Sequence, residues 1–260
     1  MSQQQDTDYQ SSPFLNYSGM KKLLISPAHY KMWLAEQTKK EEPERELRIG
    51  LATHSLCLEP HLFDQKYAIA PVCDRRTTEG KRIWKEHLES SPGKMSLTAE
   101  EFTIAQACSD SVKRNSWFKK AMEDPKLIVE KPFFLKNEHF RHGIKGRPDM
   151  VSPGNNIILD IKTHGGQLNR DDIQNSIRRN HYYLQELVYS ILTNSNDIPV
   201  NDFVFIFVEK NEPFSSVSVC IDNRFMAKDA MDEMTAAVSL FNECMDRNEW
   251  PDLSSTSIVI

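Results

Sequence analysis

Apolar residues recur at intervals of three to four through most of residues 18–115, which is the spacing of amphipathic helices. Pro27 interrupts the first of these stretches and is expected to divide it into two short helices. Thr98 and Glu101 have the spacing of a capping box, which predicts that another helix begins there. The first half of the chain is therefore expected to be helical, with helices within residues 18–37, 42–60, 77–90 and 98–115.

The pattern changes after residue 125 to the short, β-branched and aromatic runs that are typical of strands. Three consecutive strands are predicted, and the Pro-Gly-Asn-Asn turn at 153–156 predicts that the last two form an antiparallel hairpin. Later segments alternate between helix and strand. This order predicts an α/β fold with a central mixed β-sheet flanked by helices. The predicted strands are 126–135, 140–151, 156–163, 203–210 and 215–221, and the predicted helices of this half are 171–194 and 224–247.

The composition adds little that is specific. A chain of 260 residues with 39% hydrophobic and 27% charged residues is ordinary for a globular protein. We expect a single domain over residues 15–260, preceded by a flexible N-terminus over residues 1–14, because no repeat or long linker interrupts the chain. A net charge of −5 argues mildly against nonspecific coating of nucleic acid, but it does not exclude a local basic groove.

The segments that would direct the chain to a membrane or to export are not found. The N-terminal residues are polar, and no apolar run approaches the roughly 18 residues that span a bilayer. We therefore expect a cytoplasmic protein without a membrane partner. The five cysteines include no CxxC pair, so we expect reduced thiols and neither a zinc ribbon nor an iron-sulfur cluster.

Candidate chemistry is concentrated in the predicted hairpin. On a strand, alternate side chains leave the same face, so Asp160 and Lys162 are expected to lie together while Ile161 turns into the core. The hairpin can bring Asp149 beside them, and Glu130 can approach from the preceding strand. Three carboxylates near one lysine suit a divalent cation that prefers oxygen ligands. From the hairpin alone, surface salt bridges at strand ends explain these charges about as well.

Two further patterns lie far from the hairpin in sequence. Gly50 and His54 are four residues apart, about one helical turn, and His54 falls on the apolar stripe of its helix. Gln185 and Tyr189 are also four apart, with Tyr182 one turn before them. Taken singly, a histidine on an apolar stripe and tyrosines at helical spacing are more often packed core residues than functional ones.

The order GxxxH, Glu, Asp, DxK, QxxxY resembles the PD-(D/E)XK nuclease superfamily, specifically its branch of RecB-type nuclease domains and phage alkaline exonucleases. The resemblance is strongest toward the exodeoxyribonuclease VIII (RecE) family and covers nearly the whole chain. One departure is His164, where that family more often has a second threonine. The stretches that carry the resemblance are ISPAHYKMWL, IGLATHSLCLEPHLFDQKYAIAP, RRTTEGKRIWKE, GRPDMV, ILDIKT and NEWPDL.

The resemblance implies a role for each matching residue. His54, Asp149, Asp160 and the backbone carbonyl of Ile161 would bind the metal, and Glu130 would hold a second metal or a metal-bound water. Lys162 would activate or orient the attacking water. The residues implied near the substrate phosphates are Tyr182, Gln185, Tyr189 and, as a weaker candidate, Ser18.

The expected function is Mg²⁺-dependent exonuclease digestion of linear double-stranded DNA, with Mn²⁺ able to substitute. By resemblance it would run from 5′ to 3′ and leave 3′ single-stranded tails for recombination and repair in a bacterium or phage. A homo-oligomeric ring and a single-strand annealing protein are expected partners by the same association. Two alternatives stay open: a related nuclease of other polarity or substrate, such as a single-strand or flap nuclease, and a non-catalytic protein that binds DNA ends.

Overall fold

A five-stranded mixed sheet forms the centre of the computed structural model, which describes residues 9–37 and 43–254, with the backbone alone at residues 223–225. Its strand order is β10-β9-β8-β7-β4, in which β8 and β9 are parallel and the other neighbours are antiparallel. A three-stranded sheet, β1-β6-β5, and a parallel pair, β2 and β3, lie beside it. The strands are β1 (Leu15–Asn16), β2 (Tyr67–Ile69), β3 (Met95–Leu97), β4 (Ile128–Val129), β5 (Phe133–Leu135), β6 (Ile144–Gly146), β7 (Met150–Ser152), β8 (Ile157–His164), β9 (Asp202–Glu209) and β10 (Ser216–Val219).

Helices cover both faces of this sheet, so the predicted fold class is confirmed. On one face the aromatic residues of β9, such as Phe205, pack with α1, α9 and α10. On the other face the alternate residues of β8 and β9, such as Ile161 and Ile206, pack with α6 and α7. The helices are α1 (Tyr17–Leu23), α2 (Pro27–Glu36), α3 (Arg45–Leu58), α4 (Phe63–Lys66), α5 (Thr78–Ser90), α6 (Ala99–Arg114), α7 (Ser116–Met122), α8 (Arg170–Asn180), α9 (Tyr182–Asn194) and α10 (Asn223–Arg247).

Local sequence signals explain where several helices begin. Pro27 is at the start of α2, and the side chain of Ser26 caps that helix. Thr98 and Glu101 form the predicted capping box of α6, with Thr98 N–H donating to Glu101 Oε2 at 2.8 Å. The helix predicted over 171–194 is instead two helices, because His181 adopts a left-handed conformation between α8 and α9.

The first two predicted strands are each broken in two, and this corrects the expected meander. Residues 126–135 form β4 and β5 in different sheets, separated by Glu130 with φ of 52°. Residues 140–151 form β6 and β7 in different sheets, separated by Arg147 and Pro148, because proline has no N–H for a central ladder. The antiparallel hairpin of β7 and β8 is confirmed.

The segment expected to be flexible is partly packed. Residues 1–8 lie outside the described residues. Within residues 9–14, the rings of Tyr9 and Phe14 both contact Phe134, with centroids 6.1 and 6.0 Å apart. Lys145 Nζ donates to the carbonyls of Tyr9 and Ser12 at 2.6 and 2.8 Å. These contacts connect the segment to β5 and β6, which short-range sequence patterns do not predict.

The strand lengths create an open edge at the centre of the sheet. β7 pairs with β8 only over Ile157–Leu159, whereas β9 pairs along the whole of β8. The second half of β8, from Asp160 to His164, therefore has a strand neighbour on one side and a cleft on the other. Six of the site residues predicted from sequence line this cleft: His54, Glu130, Asp149, Ile161, Lys162 and Tyr182.

Candidate active site

Gly50 determines how closely α3 approaches the open edge of β8. A Cβ atom at this position would lie 3.2 Å from Thr163 Oγ1, closer than most such contacts, so a larger residue would crowd the two elements. One turn further along α3, His54 reaches the cleft and keeps 27% of its side chain exposed. Leu47 and Leu51, on the same stripe, are exposed along the cleft, so this stripe faces the cleft and not the core.

Three side chains converge beside the end of β7, and we call His54, Glu130 and Asp149 the ligand cluster. One potential ligand atom from each lies within 4.8 Å of those of the other two. His54 Nδ1 is 3.3 Å from Asp149 Oδ2, and the same oxygen accepts a hydrogen bond from Ile161 N–H at 2.7 Å. Because β7 pairs with β8 only as far as Leu159, Ile161 N–H has no backbone acceptor on that side. The Asp149 carboxylate accepts this bond instead, and the bond fixes its position.

Glu130 is held in place by its backbone and by Arg147. Its N–H donates to the carbonyl of Asp149 at 3.0 Å, and its φ of 52° is uncommon for a residue with a Cβ. Arg147 Nε lies 3.0 Å from Glu130 Oε2. Unusual backbone conformations of this kind are found where the surroundings fix a side chain at a functional site.

The proximity of these groups shifts their proton affinities. Burial raises the pKa of Glu130 to about 7, and the neighbouring Asp149 carboxylate acts in the same direction. Burial alone would lower the pKa of His54, but the carboxylates, Asp149 above all, raise it to about 9. Burial would raise the pKa of Asp149, whereas His54 and Lys162 hold it below its ordinary value. Near neutral pH the cluster thus carries an ionised Asp149 and a protonated His54.

A second group lies on β8 and α9, and we call Asp160, Lys162 and Gln185 the lysine cluster. Lys162 Nζ is 2.5 Å from Asp160 Oδ1, and Gln185 Nε2 donates to Asp160 Oδ2 at 2.8 Å. Asp160 and Lys162 leave the same face of the strand, as their spacing predicts. Asp160 and Gln185 are only 2% and 3% exposed, so these charges do not form a surface salt bridge.

Burial acts in opposite directions on the pKa values of Asp160 and Lys162. It raises the pKa of Asp160 to about 6, with the Asp149 carboxylate adding to the effect and Lys162 opposing it. It would lower the pKa of Lys162, but the carboxylate of Asp160 raises it above its ordinary value. Lys162 is therefore a protonated ammonium in this environment and provides a fixed positive charge.

The residues implied near the substrate are not all at the cleft. Tyr182 lines it, with Lys162 Nζ 4.6 Å from its ring centroid. Gln185 contacts Asp160 instead of facing the cleft. Tyr189 packs with Phe203 and is not among the cleft residues. Ser18 is the second residue of α1 and is likewise not among them. The substrate roles of these residues stay predictions.

One basic residue at the site and one close to it were missed as functional candidates. Arg147 falls in the GRPDMV stretch without a predicted role of its own, but it lines the cleft and contacts Glu130. Burial lowers the pKa of Lys21 to about 8, and the positive charge of Lys162 acts in the same direction, so Lys21 lies near Lys162 although it does not line the cleft. Its place one turn into α1 gives no signal from spacing. Only the tertiary packing of α1 against the sheet brings it there.

The ligand cluster has the chemistry of a divalent cation site. Two carboxylates and an imidazole converge at an accessible cleft, and oxygen-rich sets with one imidazole suit Mg²⁺ or Mn²⁺. Asp160 is a near neighbour, since the register of β7 and β8 continued by one residue places Asp149 opposite Asp160. Its two oxygens contact Lys162 and Gln185, however, so Asp160 is not part of the ligand cluster, and its role as a metal ligand stays a prediction.

Comparison with known proteins identifies the class. The crystal structure named "Putative exonuclease" from Eubacterium rectale aligns with a TM-score of 0.66 at 14% identity, over 100% of this chain and 94% of that chain. At this identity the likeness shows the fold alone. A phage related exonuclease from Haemophilus somnus 129PT aligns with a TM-score of 0.40 at 15% identity, over 94% of this chain and 100% of that chain, and adds no support. No curated protein matches the sequence.

The fold is that of PD-(D/E)XK nucleases, which confirms the resemblance at the level of the superfamily. A family model described as a PDDEXK-like domain of unknown function (DUF3799) matches residues 16–257, and the chain belongs to this family. The narrower resemblance to exodeoxyribonuclease VIII stays a prediction. Among the described residues, no helix is long and apolar enough to cross a membrane.

Proposed function

We propose that this protein is a metal-dependent exodeoxyribonuclease that hydrolyses phosphodiester bonds at the ends of linear double-stranded DNA. The observation that supports this most is the ligand cluster of His54, Glu130 and Asp149 directly beside Lys162 in an open cleft. The carboxylates could hold a cation, and the ammonium of Lys162 would supply a fixed positive charge in the same cleft. That is the arrangement needed to neutralise a phosphate while water attacks it.

The residues of the chain have separable tasks in this proposal. Asp149 would hold the cation, because it is the carboxylate that stays ionised; His54 would ligate it as a neutral imidazole, and Glu130 would ligate it or hold a bound water. Mg²⁺ or Mn²⁺, when bound, lowers the pKa of a bound water and neutralises charge on phosphate oxygens. Lys162, as an ammonium, would donate to a phosphate oxygen or orient the water, while Asp160 and Gln185 keep it in position.

Polarity and substrate belong to the proposal as well. The order of the motifs supports digestion from 5′ to 3′ that leaves 3′ single-stranded tails for recombination. The same resemblance supports a homo-oligomeric ring around DNA, a single-strand annealing protein as partner and a cytoplasmic location. A ring would keep the enzyme on one DNA molecule by topology, which would offset the weak attraction expected from a net charge of −5.

The test is digestion of linear duplex labelled at either end, with Mg²⁺, with Mn²⁺ or with EDTA. We expect loss of label from the 5′ end first with either metal and no digestion in EDTA. A closed circle of the same sequence serves as the control, and the Lys162→Ala protein is assayed in parallel. Digestion that persists in EDTA, or equal activity of the variant, would contradict the proposal.

One observation keeps a second nuclease function open. The cleft has a volume of about 420 Å³ and is as small as a typical ligand pocket, so it suits one strand better than an intact duplex. A single-strand or flap nuclease would use the same residues. Faster digestion of a single strand or a flap than of a blunt duplex would favour this alternative, and cutting of closed circles would indicate an endonuclease.

A further inference from the structure

A second pocket opens where β8 continues beyond the lysine cluster. His164 follows Lys162 by two residues, so its side chain leaves the same face of the strand. The pocket has a volume of about 950 Å³ and shares Thr163 and Tyr182 with the cleft. Its opposite wall is the end of α8, including Arg179. The two cavities are therefore neighbours along one strand of the sheet.

His164 presents a polar atom that lacks a partner in this pocket. The residue is 8% exposed, and its ring packs edge-on against Phe207 with centroids 6.1 Å apart. Its Nε2 atom is buried and has no hydrogen-bond partner within the described part of the chain. A Cβ atom at Gly166 would lie 3.0 Å from this nitrogen, so the glycine keeps the approach to it open. Buried polar atoms without partners are rare and need an explanation.

Arg179 adds a positive charge that is not neutralised. It is exposed and forms no ion pair with any described residue. Burial lowers the pKa of His164, and the charge of Arg179 acts in the same direction, which places the guanidinium near the ring. Asp172 is the one acid among the lining residues, and its carboxylate acts on the pKa of His164 in the opposite direction to Arg179. The two arginines of the lining, Arg178 and Arg179, outnumber it. The pocket can thus receive an anion at His164 and Arg179.

The spacing along β8 indicates which anion. Two residues along a strand span about 6.6 Å, which is comparable to the separation of successive phosphates in one nucleic-acid strand. We propose that His164 and Arg179 bind the phosphodiester next to the scissile one, on the same DNA strand whose scissile phosphate lies at Lys162. This inference rests on the proposed nuclease function. The simpler explanation is that Arg179 only complements the carboxyl end of α8 while a water molecule satisfies His164 Nε2.

The experiment measures binding of DNA in EDTA, where a metal-dependent enzyme cannot cleave. Fluorescence anisotropy would be recorded with a series of oligonucleotides, each carrying one uncharged methylphosphonate linkage at a successive position. In the wild-type protein we expect about tenfold weaker binding when the linkage at this pocket is neutral, since a hydrogen bond to a charged group is lost. In Arg179→Ala the same neutral linkage should cause no further loss.

Two variants complete the design. His164→Phe keeps the ring that packs on Phe207 but lacks Nε2, and it should show a reduced effect at that same linkage. Arg170→Ala removes an equal charge from the first turn of α8, away from the pocket, and should weaken binding evenly at all linkages. Thermal unfolding of each variant confirms that it is folded.

The outcomes separate the two proposals. The pocket is supported if one neutral linkage weakens binding in the wild-type protein, less in His164→Phe and not at all in Arg179→Ala. This result stands even if the protein shows no digestion with Mg²⁺ or Mn²⁺, and in that case only the nuclease function fails. The pocket would be overturned if the neutral linkage weakened binding in Arg179→Ala and His164→Phe as much as in the wild-type protein. It would also be overturned if these variants weakened binding equally at all linkages, as expected for Arg170→Ala. A wild-type protein that binds no DNA in EDTA would overturn the pocket, whereas the nuclease function is decided by the digestion assay with Mg²⁺ or Mn²⁺.

Discussion

Asp149 and Asp160 lie opposite each other across the β7–β8 hairpin, but their surroundings differ. Asp149 faces the cleft with His54 and Glu130, and its pKa is lowered. Asp160 is enclosed by Lys162 and Gln185, and burial raises its pKa to about 6. Asp149 thus faces an imidazole whose proton a cation could replace, whereas Asp160 faces the permanent ammonium of Lys162.

This difference suggests that binding of the metal and provision of a positive charge are divided between two groups of residues. In the ligand cluster the two carboxylates are balanced by Arg147 and by a proton on His54, so a cation could replace that proton and be held by Asp149 and Glu130. The lysine cluster is internally neutralised and its polar atoms are buried, so its task is to hold Lys162 in a fixed position. Four predictions test this division, ordered from the largest expected effect to the smallest.

The first prediction compares Asp149→Asn with Lys162→Met. Both should lower DNA digestion by roughly 10²- to 10³-fold, the loss typical of removing one electrostatic contact to a transition state. Only Asp149→Asn should abolish Mn²⁺ binding, because Lys162 does not ligate the ion. Isothermal titration with Mn²⁺ beside the digestion assay checks this. Loss of Mn²⁺ binding in Lys162→Met would show that the two groups are not separable.

The second prediction concerns pH. A bound cation requires an ionised Glu130 and a neutral His54, whereas the free protein holds protons on them up to pH values of about 7 and 9. Metal binding must displace these protons, so Mn²⁺ affinity should fall as the pH is lowered, by roughly tenfold per pH unit for each proton displaced.

Titrations between pH 6 and 9 in buffers of different ionisation enthalpy would count the released protons. The control is His54→Gln, which should bind Mn²⁺ more weakly but with a shallower dependence on pH above 7. A wild-type affinity that is constant over this range would contradict the assigned protonation states.

The third prediction is that Gln185→Leu lowers digestion by about tenfold while Mn²⁺ binding is nearly retained. The substitution leaves Asp160 Oδ2 without the donor that now lies 2.8 Å away, inside the protein. Loss of a partner for a buried carboxylate should lower the free energy of unfolding by about 1–3 kcal/mol. Denaturant unfolding and the Michaelis constant would be measured together. A variant with normal stability and an altered Michaelis constant alone would instead indicate direct contact with DNA.

The fourth and smallest effect is expected for Gly50→Ala. Alanine favours helix by up to about 1 kcal/mol over glycine, which offsets crowding against Thr163, so stability should change little. The wider spacing between α3 and β8 should still weaken Mn²⁺ binding by about threefold, because ligands must be held within about 0.5 Å. Thr163→Ser in the same background should restore little, whereas Thr163→Gly should restore binding by removing the contact.

Local patterns predicted most of the fold. The spacing of Thr98 and Glu101 marked a helix start, and the turn at residues 153–156 identified the hairpin. They failed where tertiary structure overrides local preference. The left-handed backbone of Glu130 and the Arg147–Pro148 break divide two predicted strands between two sheets, and an apolar run gives no indication of such a division.

For the site, residue types and their order predicted the set but not all of the contacts. The alternation of side chains along a strand was sufficient to predict that Asp160 lies beside Lys162, because the two residues are only two positions apart on β8. The contact of Gln185 with Asp160 depends on how α9 packs on the sheet, and the contact of Arg147 with Glu130 depends on the break between β4 and β5. Neither follows from spacing along the chain.

The central claim is that one cation binds between His54, Glu130 and Asp149. The most direct measurement is anomalous diffraction at the manganese edge from crystals of the protein soaked in Mn²⁺. We predict the strongest peak among these three side chains, with Asp160 nearby and Lys162 not coordinated. A strongest peak elsewhere, or no peak at this cluster, would contradict the account.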